Sequence, residues 1–270
     1  MSGGGSAGGR GAGGGLRRAL GAASIALSMF SRIPVRPASW DGPSMRWALA
    51  FWPLVGVVEG LAYLAWGWAS ARLGVPRPLC AAVFVALPFA VNGGIHADGL
   101  CDTADALASR LPRDRALQVM ADPRVGSFAA LCLGCHLALS FGLFSCIDLG
   151  WGTLACVAAS PVMSRALAGL TVARWKCARP GGLADAFGSA ASPSCSVALL
   201  AEAVACAAAM VWSCRIGGAL AVAVALATLG WYRRMTGSRF GGVTGDTSGW
   251  FVQTAELAML AAVVVGGLVG

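Results

Sequence analysis

The stretch NGGIHADGLCDTADAL, residues 92–107, organises the rest of the chain. If it is helical from Asp98 onward, Asp98, Asp102 and Asp105 stand at i, i+4 and i+7 and form one stripe on one helix face. Three unpaired carboxylates on one stripe repel one another, so they need a positive partner. Mg²⁺ meets that need because it takes oxygen ligands and leaves positions free for phosphate oxygens. The alternative is a solvated acidic face.

One of the chain's two histidines, His96, lies just before these aspartates and is a candidate for moving a proton. The pair Gly93 and Gly94 precedes it. Glycine permits a sharp turn or a close approach of the backbone to a ligand. We therefore expect all three residues to belong to the same site as the aspartates.

The composition is that of a membrane protein. Of the 270 residues, 57% are hydrophobic and 12% are charged, and the mean hydropathy is +0.71. Soluble domains carry about 25% charged residues. The sequence therefore predicts an all-α, polytopic integral membrane helical bundle. The net charge of +8 does not indicate nucleic-acid binding, because no soluble basic domain is present.

The chain divides into a leader and one membrane-embedded domain. Residues 1–15 are almost wholly Gly, Ser and Ala and predict a disordered leader. Residues 16–270 form the domain, which begins with an amphipathic helix on the membrane surface over 16–30. Seven apolar spans follow, at 47–70, 79–95, 127–147, 151–172, 195–213, 217–232 and 249–269.

The distribution of basic residues predicts the orientation. If the N-terminus is cytoplasmic, the cytoplasmic segments carry sixteen Lys and Arg residues and the outside connections carry three. This asymmetry follows the positive-inside rule. Residues 96–126, 173–194 and 233–248 then lie on the cytoplasmic side, so we expect a single cytoplasm-facing site in the cell membrane.

Further polar residues on that side are candidates for binding substrate. The guanidinium groups of Arg124, Arg165 and Arg179 suit phosphate oxygens. Asp246 lies in the glycine-rich stretch 241–249, whose amides and hydroxyls are suited to holding phosphate at a helix N-terminus. The stretch is not a P-loop, because no Gly-Lys-Ser/Thr sequence closes it.

Together these segments resemble the cobalamin synthase (adenosylcobinamide-GDP ribazoletransferase) family. The most specific block is Gly-Gly-x-His-x-Asp-Gly-Leu-x-Asp-x-x-Asp at 93–105. The other matching blocks are 30–35, 53–56, 120–126, 164–165 and 241–249. The chain departs from the family pattern at Ala106, Pro123 and Gln253. Glu59 stands at a position that is usually apolar, so the resemblance gives it no role. It could pair with an arginine such as Arg165, act in proton transfer or be neutral.

The resemblance implies a reaction. Adenosylcobinamide-GDP is joined to α-ribazole, or to α-ribazole 5′-phosphate, with release of GMP and a requirement for Mg²⁺. On this basis Asp98, Asp102 and Asp105 are expected to hold the metal. The attacking atom is expected to be the ribose 5′-oxygen, and one of these aspartates, or His96, is expected to take its proton. It also implies the bacterial inner membrane as location.

Two other classes of protein are compatible with parts of this pattern. CDP-alcohol phosphotransferases also cluster aspartates on membrane helices, but their motif has an Ala-Arg pair and two later aspartates that this chain lacks. Transporters usually show a two-fold repeat of spans, and no repeat is visible here. Association into a homo-oligomer, or with other enzymes of corrinoid synthesis, is left open by the sequence.

Overall fold

The computed structural model describes residues 10–36 and 40–269. Within these ranges the chain is helical, and β pairing is limited to one isolated bridge between Cys177 and Val243. The helices are α1 Arg10–Phe30, α2 Gly42–Ala48, α3 Trp52–Leu73, α4 Arg77–Asn92, α5 Ile95–Ala108, α6 Arg113–Met120, α7 Ser127–Cys146, α8 Trp151–Arg174, α9 Leu183–Ala190, α10 Pro193–Met235 and α11 Gly245–Val269. A 3₁₀ turn, Leu49–Phe51, joins α2 to α3, and a π turn, Thr236–Phe240, follows α10.

The predicted membrane-embedded helical bundle is confirmed. Among the described residues, five helical stretches are long and apolar enough to cross a membrane. A sixth is reached if α4 and α5, which meet at 96°, count as one broken span. The count of seven and the side of the N-terminus stay predictions. The protein is a multi-pass membrane protein.

Helix α8 lies at the centre of the bundle, in contact with α3, α10 and α11. Small residues permit this close packing. Gly56 and Gly60 of α3 lie directly against the backbone carbonyls of Pro161 and Ala158 in α8, where a Cβ atom would collide. Such contacts between small residues drive helix association in lipid, where burial of apolar surface contributes little.

Helix α10 is broken near its middle. Cys214 and Arg215 have non-helical backbone angles, and the φ of Arg215 is +34°. Gly218 lies against the carbonyl of Met210, whereas a continuous helix would separate these residues by about 12 Å. The chain therefore reverses direction at this break. Its two halves coincide with the spans predicted at 195–213 and 217–232.

The N-terminal region differs in detail from the expectation. Helix α1 begins at Arg10, inside the segment expected to be a disordered leader, and residues 1–9 lie outside the described part of the chain. Its inner face buries Ala22, Ile25 and Ala26, while Leu16 and Leu20 are exposed. This two-sided pattern is the one expected for an amphipathic surface helix.

The three connections predicted to share one side of the membrane pack against one another. Arg179, between α8 and α9, donates a hydrogen bond of 2.8 Å to the carbonyl of Leu117 in α6. The Val243 amide, between α10 and α11, bonds the Lys176 carbonyl at 2.9 Å. These contacts place the polar segments at one end of the bundle.

Candidate functional site

A turn made by two glycines directs α5 across that end of the bundle. Gly93 and Gly94 have φ values of +71° and +87°, which favour glycine because a Cβ atom is strained there. The side chain of Asn92 accepts a hydrogen bond of 2.8 Å from the Gly94 amide. A Cβ on Gly93 would lie 2.8 Å from the Arg32 side chain. The sharp turn is therefore observed, while a ligand contact at these glycines stays a prediction.

Helix α5 crosses the start of α11 at very short range. A Cβ on Gly99 would lie 2.5 Å from the carbonyl oxygen of Asp246, and one on Gly249 would lie 3.1 Å from that of His96. The glycines of the two sequence motifs are thus the points of contact between them. Their packing brings Asp98, on α5, beside Asp246, on α11.

Two hydroxyl groups fix the beginning of α11. Thr244 accepts a hydrogen bond from the Thr247 amide at 3.0 Å, and Thr247 accepts one from the Thr244 amide at 2.9 Å. This reciprocal arrangement is a capping box. Both threonines are buried, so their hydroxyls hold the loop in place. The positive end of the helix dipole is left facing the cavity described next.

A cavity of about 210 Å³ lies between α3, α5, α9 and α11. Its polar end contains His96, Asp98, Arg179, Thr244, Asp246 and Ser248. Its apolar end contains Phe30, Leu49, Trp52, Val172, Leu183 and Phe187. The sequence motifs identify the polar end. Apart from Phe30, which opens the matching block 30–35, the apolar wall has no signature in the sequence, because its members come from four distant segments.

Negative charge is concentrated around the polar end. Burial, together with the nearby carboxylates of Asp98 and Asp246, raises the pKa of Asp102 to about 6. Arg179 partly offsets this charge, since its Nη1 atom lies 4.0 Å from the Asp246 carboxylate. A cluster of carboxylates with one half-exposed arginine favours binding of a cation and of phosphate.

The donor set fits Mg²⁺ that arrives with a phosphorylated substrate. Within the described residues, no group of three or more His, Cys, Asp or Glu side chains is gathered closely enough to enclose a metal alone. Mg²⁺ is usually bound by only one or two carboxylates together with substrate phosphates. Asp98 and Asp246 line the cavity, and Asp102 is near both, so they supply such a set.

The structure places Asp105 differently from the other two aspartates of the stripe. Its two carboxylate oxygens accept hydrogen bonds from the amides of Gly126, at 2.7 Å, and Ala129, at 2.9 Å. Asp105 therefore caps the N-terminus of α7 from a neighbouring helix. The expected i, i+4, i+7 stripe is present on α5, but both Asp105 oxygens are engaged. Its assignment as a metal ligand stays a prediction.

His96 lines the cavity and is 2% exposed. Its Nδ1 atom is 3.4 Å from Nη2 of Arg165. Because arginine can only donate hydrogen bonds, Nδ1 is the acceptor and the ring proton of the neutral histidine is on Nε2. Nε2 has no hydrogen-bond partner among the described residues. This geometry favours His96 as a donor to a ligand over the proton acceptor that the sequence suggested.

Arg165 is fully buried between two carboxylates. Its Nη2 atom lies 2.7 Å from Glu59 of α3, and its Nη1 atom lies 2.7 Å from Glu256 of α11. The guanidinium does not line the cavity; it joins α3, α8 and α11 below it. The sequence indicated Arg165 as a ligand for phosphate, and that role stays a prediction.

Arg124 also lies outside the cavity lining. It forms an exposed pair with Asp122, at 2.6 Å between Nη2 and Oδ2. The side chain and amide of Arg124 hold the pKa of Asp122 at about 2, so the carboxylate is ionised at neutral pH. The structure therefore brings together His96, Asp98, Arg179 and Asp246, with Asp102 nearby, and leaves Arg124 apart.

The fold and the site define a multi-pass membrane protein with a carboxylate-lined cavity at a helix N-terminus, suited to a phosphorylated substrate. A comparison with known protein families identifies the family. The family model described as cobalamin-5-phosphate synthase matches residues 22–264. The chain belongs to this family, as the sequence motifs indicated.

Curated relatives agree with this assignment. An adenosylcobinamide-GDP ribazoletransferase of Lachnoclostridium phytofermentans is 34% identical over 247 residues, which cover 91% of this chain and 94% of the relative. A protein of the same name from Pseudomonas aeruginosa is 34% identical over 254 residues, which cover 93% of this chain and 100% of the relative. One from Pseudomonas entomophila is 36% identical over 244 residues, which cover 87% of this chain and 95% of the relative. No solved structure significantly matches the chain.

Proposed function

We propose that this chain joins adenosylcobinamide-GDP to α-ribazole, or to its 5′-phosphate, and releases GMP. Membership of the cobalamin-5-phosphate synthase family and the shared name of the relatives support this proposal. One structural observation carries it: a single cavity combines the Asp98 and Asp246 carboxylates, the Arg179 guanidinium and a helix N-terminus. A diphosphate substrate needs this combination of cation ligands and phosphate donors.

The proposed reaction exchanges one phosphorus–oxygen bond for another. A ribose hydroxyl oxygen of the riboside forms a bond to the cobinamide-bound phosphorus, and the bond from that phosphorus to the bridging oxygen breaks. GMP leaves with the bridging oxygen, and the hydroxyl proton is released. The attacking oxygen is not the 5′-oxygen, because a product that retains a 5′-phosphate has that position blocked.

The residues of the cavity have distinct roles in this proposal. Arg179 donates hydrogen bonds to the diphosphate from the N–H groups that its bond to the Leu117 carbonyl leaves available on its half-exposed side chain. Asp98 and Asp246, with Asp102, would hold Mg²⁺. When bound, this ion supplies positive charge that offsets the charge on the phosphate oxygens. The carboxylate of Asp98 accepts the proton of the ribose hydroxyl, since Nε2 of His96 already carries one.

Arg165, Arg124 and Asp105 act indirectly in this proposal. Arg165 holds His96 in one orientation through the contact at Nδ1. Asp105 fixes the start of α7. Arg124 belongs to the exposed turn that follows α6, where it pairs with Asp122.

We also infer that the cavity opens to the cytoplasm and that the membrane is the bacterial inner membrane. The mutual packing of the three polar connections supports a single site at one end of the bundle. That end carries most of the chain's Lys and Arg residues, as cytoplasmic ends do.

A turnover assay tests the proposed function. The purified chain in lipid vesicles is given adenosylcobinamide-GDP, α-ribazole and Mg²⁺, and GMP and the corrinoid product are separated by chromatography. We expect GMP and the nucleotide-containing corrinoid to form in equal amounts, and neither to form when α-ribazole is omitted. GMP release without a joined product would show hydrolysis, and the proposal would be wrong.

A further inference from the structure

Two buried hydrogen-bond donors without partners lie where the apolar end of the cavity meets its polar end. Trp52 and His96 are 3% and 2% exposed. Neither Trp52 Nε1 nor His96 Nε2 has a partner among the described residues. Both side chains line the cavity, and their ring centroids are 5.9 Å apart. A buried N–H without a partner is unfavourable, so such groups in a cavity mark where ligand atoms bind.

Both donors are electrically neutral. An indole N–H can only donate, and His96 donates from Nε2 because its Nδ1 faces the Arg165 guanidinium. Around Trp52 the wall is aromatic and aliphatic, with the Phe30 ring stacked on it at 4.6 Å. The charged groups of the lining, Asp98, Arg179 and Asp246, belong to the polar end. Phosphate therefore suits the polar end, and a flat apolar ring with an acceptor atom suits the apolar end.

We propose that the apolar end is the subsite for the base of the incoming riboside, and that Trp52 Nε1–H donates to the acceptor nitrogen of that base. The assignment rests on the proposed function. Phe30, Leu49 and Phe187 surround the ring system, and the His96 Nε2–H donates to an oxygen of the ribose. The sugar then lies between the two ends of the cavity, with its hydroxyls directed towards Asp98.

The chemistry of the wall distinguishes the two bases that the reaction brings together. A benzimidazole riboside has one free ring nitrogen and otherwise apolar edges. Guanine has a carbonyl, an exocyclic amine and a ring N–H, which Phe30, Leu49 and Phe187 would leave without partners. Burying these groups unpaired is costly. The wall therefore favours the benzimidazole base over guanine.

Equilibrium binding of two ribosides tests the subsite without requiring turnover. One is α-ribazole, and the other is its indole analogue, in which C–H replaces the acceptor nitrogen. We expect the wild-type protein to bind α-ribazole about tenfold more tightly, as for one hydrogen bond to a buried donor. Trp52→Phe keeps an aromatic ring but removes the donor, so the preference should disappear. Trp151→Phe, at an exposed tryptophan, should retain it.

The other possible outcomes also decide whether the apolar end is the base subsite. Equal binding of the two ribosides by the wild-type protein would overturn the subsite whatever the variant does, as would a preference that survives in Trp52→Phe. In the turnover assay, Trp52→Phe should raise the KM for α-ribazole and leave the KM for adenosylcobinamide-GDP unchanged. A rise confined to the latter would place guanine in the subsite. Riboside binding without GMP release would contradict the proposed function and leave the subsite standing.

Discussion

The carboxylate of Asp105 accepts a hydrogen bond of 2.7 Å from the amide of Gly126, at the start of α7. This contact separates Asp105 from the aspartates that line the cavity. Replacing Asp105 with Ala leaves the Gly126 and Ala129 amides at the start of α7 without this partner, so we expect a loss of about 1–2 kcal/mol in stability. Thermal unfolding in detergent should show a lower Tm, and a Tm equal to that of the wild type would contradict the capping role.

The aspartate stripe shows what the sequence could and could not predict. Helical spacing correctly predicted that Asp98, Asp102 and Asp105 share one face of α5. Spacing does not show which helix packs against each aspartate, and the role of the side chain depends on that neighbouring helix. Asp98 faces the start of α11, whereas Asp105 faces the start of α7. The two partners are set by tertiary packing over long sequence separations.

Glu59 provides a second example of the same limit. The family position that it occupies is usually apolar, and from the sequence alone it could pair with an arginine such as Arg165, act in proton transfer or be neutral. The structure confirms this pair at 2.7 Å, with both side chains fully buried. An isolated ionisable residue in an apolar span indicates a buried partner or a functional role. The partner itself becomes known only when the helices are packed.

We expect Arg165→Leu to destabilise the bundle strongly, because it leaves the buried Glu59 and the partly buried Glu256 without their cation. Breaking a buried ion pair costs about 3–5 kcal/mol. The triple variant Glu59→Leu, Arg165→Met and Glu256→Leu removes all charges together and should regain most of the stability. Tm and the yield of monodisperse protein measure both effects. If Arg165→Leu is as stable as the wild type, the ion pairs of Arg165 with Glu59 and Glu256 are not needed for stability.

Variants of Arg179 and Arg124 can be compared to test phosphate binding. Arg179 lines the cavity, while Arg124 is bonded to Asp122 on the exposed turn. Removing a group that stabilises the transferring phosphate typically costs about 100-fold in turnover. We expect that loss for Arg179→Ala and a change of less than about threefold for Arg124→Ala, measured as GMP release. The reverse order would restore Arg124 as the phosphate ligand predicted from the sequence.

The orientation can be tested by labelling single cysteines in a variant that lacks the ten native ones. Ser238→Cys lies in the connection before α11, and Asp148→Cys lies between α7 and α8 at the opposite end. Both positions are exposed. In intact cells an impermeant maleimide should label position 148 only, and in inverted vesicles position 238 only. Labelling of position 238 from outside would invert the predicted topology.

The last prediction concerns the cation. Asp98→Asn and Asp246→Asn each remove a negative charge from the polar end of the cavity, and neither carboxylate caps a helix there. We expect turnover to fall about 100-fold or more in each, and half-maximal activity to need more Mg²⁺. If both residues serve one cation, the double variant should be scarcely slower than the worse single variant. Asp114→Asn, at an exposed position of α6, is the control and should change neither quantity. Small, additive losses with unaltered Mg²⁺ dependence would show that the carboxylates form only a solvated acidic face.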